Sequence, residues 1–223
     1  MKYFHVFEKP RIYSTKVSLY PNFSLREAAA YAGNTSYVLP LPDRETGFYL
    51  LGLLNSHVCE YFSRSVFSPK ANGYYEVQPE ALARFPIPNA APADREAIGI
   101  LAQEITHEAQ ARYTLHEKVR HRLQSDLGTP ATRLNQKLTA WWTLDFPTLR
   151  RELVKVTKAD IPIKDRSEWE AWLGEQRAAH DKYTDAIIQR ETDLNARVYA
   201  LFSLAAEEIK LMEAATKYRY GEV

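Results

Sequence analysis

FYLLGLLNSHVCEYFSRSVFSPKANGYYEVQPEALARFPIP, residues 48–88, decides how the first part of this chain is read. From Gly47 to Phe67 the apolar residues Phe48, Leu51, Leu54, Val58 and Phe62 recur every three or four positions, which predicts a helix across that span. Cys59 lies beside this stripe and reads as a packed thiol rather than a nucleophile. The chain leaves the helix at Ser68-Pro69, turns at Asn72-Gly73 and extends again through Tyr74-Tyr75-Glu76-Val77 as a strand. The prolines of Phe85-Pro86-Ile87-Pro88 close the stretch in an extended conformation.

Working outward, Arg11–Leu19 (RIYSTKVSL) alternates apolar or β-branched residues with polar ones. Ser36–Leu41 (SYVLPL) is a second strand, bounded by Gly33-Asn34 and Pro42-Asp43. The small-residue and proline stretch Asn89-Ala90-Ala91-Pro92-Ala93-Asp94 marks a compositional boundary, dividing the chain into domains at 1–89 and 90–223. Beyond it, Asp94 serves as an N-cap, and Ile98, Leu101, Ile105, Leu115, Val119 and Leu123 mark one face of a helix about thirty residues long. A second long pattern runs from about Ser167 through Trp172, Tyr183, Ile187, Leu194 and Leu201. The two are expected to pair antiparallel, with a shorter helix at 147–157 between them. The fold class is therefore α+β: a small mixed α/β domain, then a mainly helical region dominated by two long antiparallel helices.

With 223 residues, 45% hydrophobic and 12% aromatic, the chain can bury a core. One cysteine excludes a disulfide framework, and neither a signal peptide nor an apolar run of membrane-spanning length is seen, so a cytoplasmic setting without membrane is expected. The net charge is only +1. Residues 1–90 carry nine basic and seven acidic side chains and the remainder twenty and twenty-one, so any polyanion-binding surface must be local.

The order LLGLLNS, SPK, GYYE, PIP within residues 50–88 resembles the target-recognition region of TaqI-like adenine DNA methyltransferases and type IIG restriction-modification enzymes. Lys9-Pro10-Arg11-Ile12 resembles the KPKI that opens that region. Further along, WWTLDFPTLRRELVK (141–155), IPIKDRSEWEAWL (161–173) and IIQRETDLNARVYALFSLAAEEIKLMEAA (187–215) are similar to the tail of the same enzymes. There the last block reads roughly VYxLYGLTxEEI. This chain departs from it with Ser203 in place of glycine and Ala205 in place of threonine, residues that would supply a left-handed cap and an N-cap to the turn.

The catalytic signatures of that family are missing from these 223 residues. All eight glycines are isolated, no GxG occurs, and no two prolines adjoin, so neither the S-adenosylmethionine loop nor the Asn-Pro-Pro-Tyr base-holding motif is present. For a nuclease, Pro42-Asp43 has no acidic-x-lysine group at a workable distance, and Glu208-Ile209-Lys210 sits inside the terminal helix signature. No metal site is expected: His107, His116 and His121 share one helix, but spacings of nine and five do not share a face. His5, His57 and His180 have no companion motif and read as surface residues.

The resemblance implies that the SPK and GYYE segment faces DNA, giving Lys70, Asn72, Tyr74 and Tyr75 the role of approaching the duplex. Lysine suits a phosphate, asparagine an adenine edge, and tyrosine a phosphate, base or sugar. The plainer reading is a surface turn with one tyrosine filling core. Arg64 and Arg84 would add phosphate contacts. Arg11, Tyr13 and Lys16 along a strand would present cations to the backbone, or protect a sheet edge. Trp141, Trp142, Trp169 and Trp172 read as helical core rather than as base-stacking platforms.

The resulting expectation is a non-catalytic DNA target-recognition module of a type IIG-like or related adenine-methylating system, detached from its methyltransferase domain. Its partners would be double-stranded DNA and a methyltransferase domain or subunit, in cis or in trans. S-adenosylmethionine would belong to that partner, with no cofactor in this chain. The alternative is a helical docking module with little DNA binding of its own, including a homo-oligomer formed through its helices. A complete enzyme with an unfamiliar site is the least supported reading, because no cluster of acid, base and nucleophile is visible.

Overall fold

The computed structural model describes residues 9–27, 33, 35–128 and 132–222. His5 and Asn34, both drawn on above, lie outside them. The described chain runs β1 (Arg11–Thr15), β2 (Val17–Ser18), β3 (Phe23–Arg26), β4 (Ser36–Pro40), α1 (Arg44–Leu54), α2 (His57–Val66), β5 (Ser68–Pro69), β6 (Tyr75–Glu76), α3 (Pro79–Leu82), α4 (Pro92–Leu127), α5 (Gln136–Thr139), α6 (Phe146–Thr157), α7 (Arg166–Leu201) and α8 (Ala206–Ala215). This is an α+β chain with its small antiparallel sheets in the first part and long helices after them. It divides into two compact units, residues 1–105 with 188–223, and residues 106–187. The compositional boundary at residue 89 lies between α3 and α4, whereas the units divide inside α4 and α7.

In the first unit, β1 is the central strand of an antiparallel sheet ordered β3-β1-β4, with Ile12 opposite Leu25 and Leu39. Helix α1 starts because the Asp43 carboxylate accepts the Thr46 N–H at 2.7 Å, a bond that also holds its carboxyl below the usual range. Its buried residues include Phe48, Tyr49, Leu51, Leu53 and Leu54, which join Ile12, Phe23 and Leu25 in one core. Gly52 lets the helix come close to neighbours, since a Cβ there would lie 2.8 Å from Ile98 Cγ2 and 3.3 Å from Leu194 Cδ1. Ile98, Ala102, Leu194, Val198, Tyr199 and Met212 complete that core from α4, α7 and α8.

The single helix expected over 47–67 is instead two, α1 and α2, broken at Asn55-Ser56. Asn55 spends its carboxamide on the backbone of Phe23, accepting its N–H at 3.0 Å and donating to its carbonyl at 2.9 Å. Ser56 then caps α2, its hydroxyl accepting the Cys59 N–H at 3.3 Å. Two smaller corrections have the same local character. Helix α4 begins at Pro92 rather than Asp94, with proline in the first turn where its missing N–H costs nothing. The strand expected over 11–19 is split into β1 and β2, which join different sheets.

The turn from α7 to α8 is a Schellman motif: Leu204 N–H donates to Tyr199 O at 3.1 Å and Ser203 N–H to Ala200 O at 3.0 Å. Ser203 takes the left-handed conformation, φ 53°, that glycine would adopt more readily. Ala205 has no side-chain oxygen to cap α8, so only the return half of a capping box survives, with the Glu208 carboxylate accepting the Ala205 N–H at 2.7 Å. Ser203 and Ala205 are both exposed. Ser203→Gly and Ala205→Thr are each expected to raise stability by roughly 0.5–1 kcal/mol, additively, in chemical denaturation. A loss of stability in either variant would contradict this account of the turn.

The second unit is built on Trp141, which is fully buried with Val119, Leu123, Leu138, Leu149, Leu153, Ile161 and Leu173 around it. Asp145 caps α6 by accepting the Thr148 N–H at 2.7 Å, with Pro147 in the first turn. Within this unit α4 and α7 run antiparallel: Arg112 Nη1 donates to Thr184 Oγ1 at 3.0 Å, and one turn on His116 Nε2 meets His180 Nδ1 at 2.9 Å. His180, expected on the surface, is buried, and so is His116. The His116 ring stacks on Trp142, with centroids 3.8 Å apart and planes 8° from parallel.

Candidate nucleic-acid interface

The SPKANGYYE segment folds as a two-residue ladder with a three-residue tip. β6 is the middle strand of a second sheet, ordered β2-β6-β5, with Tyr75 between Ser18 and Pro69 and Glu76 between Val17 and Ser68. Lys70 N–H donates to Tyr74 O at 2.7 Å and closes the tip. Asn72 (φ 58°) and Gly73 (φ 77°) both stand in the left-handed region, which the side chain of asparagine tolerates and glycine adopts without strain. Beneath the sheet Phe67, Val77 and Ala81 form a small apolar cluster with Tyr37 and Tyr75 packed on it. Gln78 Nε2 donates to Ser68 Oγ at 2.9 Å and braces the hairpin base.

The seven candidate residues separate by environment. Lys70, Asn72 and Tyr74 are exposed at the tip. Lys70 Nζ lies 2.6 Å from Glu76 Oε2, and this bond holds the Glu76 carboxyl below its usual range. Both partners are substantially exposed, so water and salt screen the pair and it contributes little to stability. Tyr75 is half-buried on the apolar cluster, with the Arg64 guanidinium 5.8 Å from its ring centre. Lys16 is half-buried with its ammonium 5.6 Å from the Tyr37 ring centre.

Two arginines serve the interior. Arg11 is fully buried, its Nε donating to the Tyr13 hydroxyl and its Nη1 to Lys9 O, both at 2.8 Å. The period-two pattern placed it where it could meet the backbone of DNA, but its side chain is fully buried. Arg64 has a side chain 18% exposed and donates to Glu60 Oε1 at 2.8 Å and 3.2 Å. Arg84 is exposed in the turn after α3.

Sequence reasoning missed Lys217. Its ammonium lies 3.5 Å from Gly73 O, across 144 residues of chain, and a Cβ on Gly73 would collide with it. The available signal was the alternation Lys217-Tyr218-Arg219-Tyr220, which repeats the cation and tyrosine texture of residues 70–75. The tip therefore presents two ammonium groups, an asparagine amide and a tyrosine ring, the functional groups that contact phosphates and base edges.

Among the described residues no group of three or more His, Cys, Asp or Glu is placed to hold a metal ion. The Cys59 thiol is fully buried, and burial pushes it up to about 12, so it is not a thiolate at neutral pH. No described helix is long and apolar enough to cross a membrane.

Compared with known families, residues 1–87 match the TaqI-like C-terminal specificity domain. Over that stretch the chain is similar to this family. The match reaches from the first residue to Ile87, so it takes in the hairpin and also the sheet of β1, β3 and β4 that precedes it. The similarity to a TaqI-like C-terminal specificity domain supports a DNA target-recognition role in restriction-modification systems. Residues 91–198 match a separate family, described as a domain of unknown function, DUF8810. No curated protein and no solved structure matches the chain.

Proposed function

We propose that this chain is the non-catalytic target-recognition module of a type IIG-like restriction-modification or adenine-methylating system. The observation that carries the reading is the specificity-domain match over the residues that build the hairpin, together with the exposure of Lys70, Asn72 and Tyr74 at its tip. Lys70 exchanges Glu76 for a phosphate, Asn72 offers its amide to a base edge, and Tyr74 lies against a sugar or base. Lys16 flanks them, while Arg64 and Tyr75 stiffen the hairpin from beneath. Methyl transfer, and the S-adenosylmethionine it consumes, belong to a methyltransferase domain or subunit that the helical part docks.

The charge balance of +1 favours weak binding by the chain alone, roughly micromolar or weaker at physiological salt. Fluorescence anisotropy with a mixed-sequence duplex at about 50 mM salt is expected to show binding that fades as salt rises. Lys70→Ala should lower the slope of log K against log salt by about 0.9, the signature of one lost phosphate contact. Identical titrations for intact protein and Lys70→Ala, or no binding at low salt, would sink the proposal.

A second reading, a helical docking module, is favoured by one observation. In the first unit Ala97, Ile100, Leu101, Ala196 and Ala200 line an open groove along α4 and α7, with Ile100 half exposed. A methyltransferase subunit captured by the intact chain and released by Ile100→Asp, with DNA binding absent throughout, would favour this reading.

A further inference from the structure

The last residues of the chain are fastened down by two buried carboxylates. Glu60, whose side chain is 3% exposed, accepts the Lys217 N–H at 2.6 Å and the Tyr218 N–H at 3.2 Å. Glu191, also buried, accepts the Gly221 N–H at 2.6 Å and the Tyr218 hydroxyl. Aromatic contacts complete the attachment. Tyr220 stacks on His57 at 4.8 Å with planes 4° apart, and Tyr218 meets Tyr20 edge-on at 5.1 Å. Burial raises the Tyr218 and Tyr220 hydroxyls well above their ordinary range, so both rings stay neutral.

This attachment delivers Lys217 to Gly73. The Lys217 side chain is exposed, and among the described residues its ammonium meets only a backbone carbonyl at 3.5 Å, a long and weak contact. Lys70 stands at the same tip with a carboxylate partner, Glu76. A phosphate oxygen is a stronger acceptor for an ammonium than a neutral carbonyl, because the bond is charge-assisted at both ends. Residue 217 lies outside both family matches.

We propose that Lys217 is a DNA-phosphate-contacting residue of the hairpin tip, held there by a C-terminal strap anchored on Glu60 and Glu191. The inference rests on the DNA reading above and adds to it a contact from the opposite end of the chain. The strap works as a positioning device. Glu60 accepts two successive backbone N–H groups and Glu191 one backbone N–H and the Tyr218 hydroxyl, so the strap has one register and Lys217 has one address.

The test is a salt titration of duplex binding with the intact chain and with Lys217→Gln, Lys217→Arg, Lys70→Ala and Lys210→Gln. Lys210 is an exposed lysine of α8 paired with Glu207 and controls for overall charge. Lys217→Gln is expected to weaken binding roughly three- to tenfold at low salt and to lower the salt slope by about 0.9. Lys217→Arg should restore the slope, Lys210→Gln should leave it unchanged, and all melting temperatures should stay together. The inference is overturned, with the DNA reading intact, if Lys70→Ala lowers the slope and Lys217→Gln does not. It is equally overturned if Lys217→Gln weakens binding at unchanged slope, which is a structural effect, or if Lys210→Gln behaves the same way, which is a charge effect. Absence of binding by the intact chain removes both.

Discussion

Glu60→Ala is expected to destabilise the protein by about 3–5 kcal/mol and to release the C-terminal strap. The carboxylate is buried at the start of α2 and carries four donors: Arg64 through Nη2 at 2.8 Å and Nε at 3.2 Å, and the N–H groups of Lys217 and Tyr218. Truncation leaves a poorly exposed guanidinium without its counter-charge and two backbone donors without acceptors, and each loss carries its own desolvation penalty. Glu60→Gln keeps one acceptor oxygen but turns an amide donor toward other donors, so its cost should be smaller yet still above about 1 kcal/mol. Denaturant midpoints measure the energy, and hydrogen exchange at the amides of 217 and 218 locates it. A stability change under about 1 kcal/mol with those amides still protected would show that the carboxylate is not the anchor described.

Acidification is expected to weaken the second unit through His116 and His180. Burial lowers His116, aided by the neighbouring His180 and the charges of Arg120 and Arg112, and takes it down to about 4. His180 is lowered by burial and by Arg112, against an opposing pull from Asp181. An unfolded histidine titrates near 6.5, so between that value and about 4 the unfolded chain binds more protons than the folded one. The stabilising contribution is therefore present in full above pH 6.5 and is lost as pH falls toward 4, at no more than about 1.4 kcal/mol per pH unit for each proton. Double protonation would also leave the two facing ring nitrogens as donors with no acceptor between them. His57 is lowered by burial as well and adds a background in the same direction. The measurement is stability at pH 7.5, 6 and 5 for intact protein and for His116→Gln with His180→Gln. Equal pH dependence in the two would refute the assignment.

What the sequence made legible was the chemistry of neighbours in the chain. The Asn72-Gly73 turn and the helix expected over 147–157 are decided by residues within a few positions of one another. What stayed hidden depends on partners far away. The spacing of Phe48, Leu51, Leu54, Val58 and Phe62 runs unbroken through Asn55-Ser56, and only the backbone of Phe23, 32 residues earlier, reveals why the helix stops there. Spacing correctly kept His107, His116 and His121 off a common face, yet the true partner of His116 is 64 residues away on another helix. Arg11 looked like a surface cation because alternation fixes which residues share a face without saying whether that face is covered.

The order in which the chain is made gives one division of the fold a meaning in time. The second unit is continuous, residues 106–187, whereas the first takes residues from both ends. Its core needs Leu194, Val198, Tyr199 and Met212, so α1 and α2 complete their packing only after these much later segments have been made. During that interval the apolar faces of α1 and α2 wait for their covering, and the β5–β6 hairpin lacks its contact with Lys217. The first unit therefore closes only after the continuous second unit has been made.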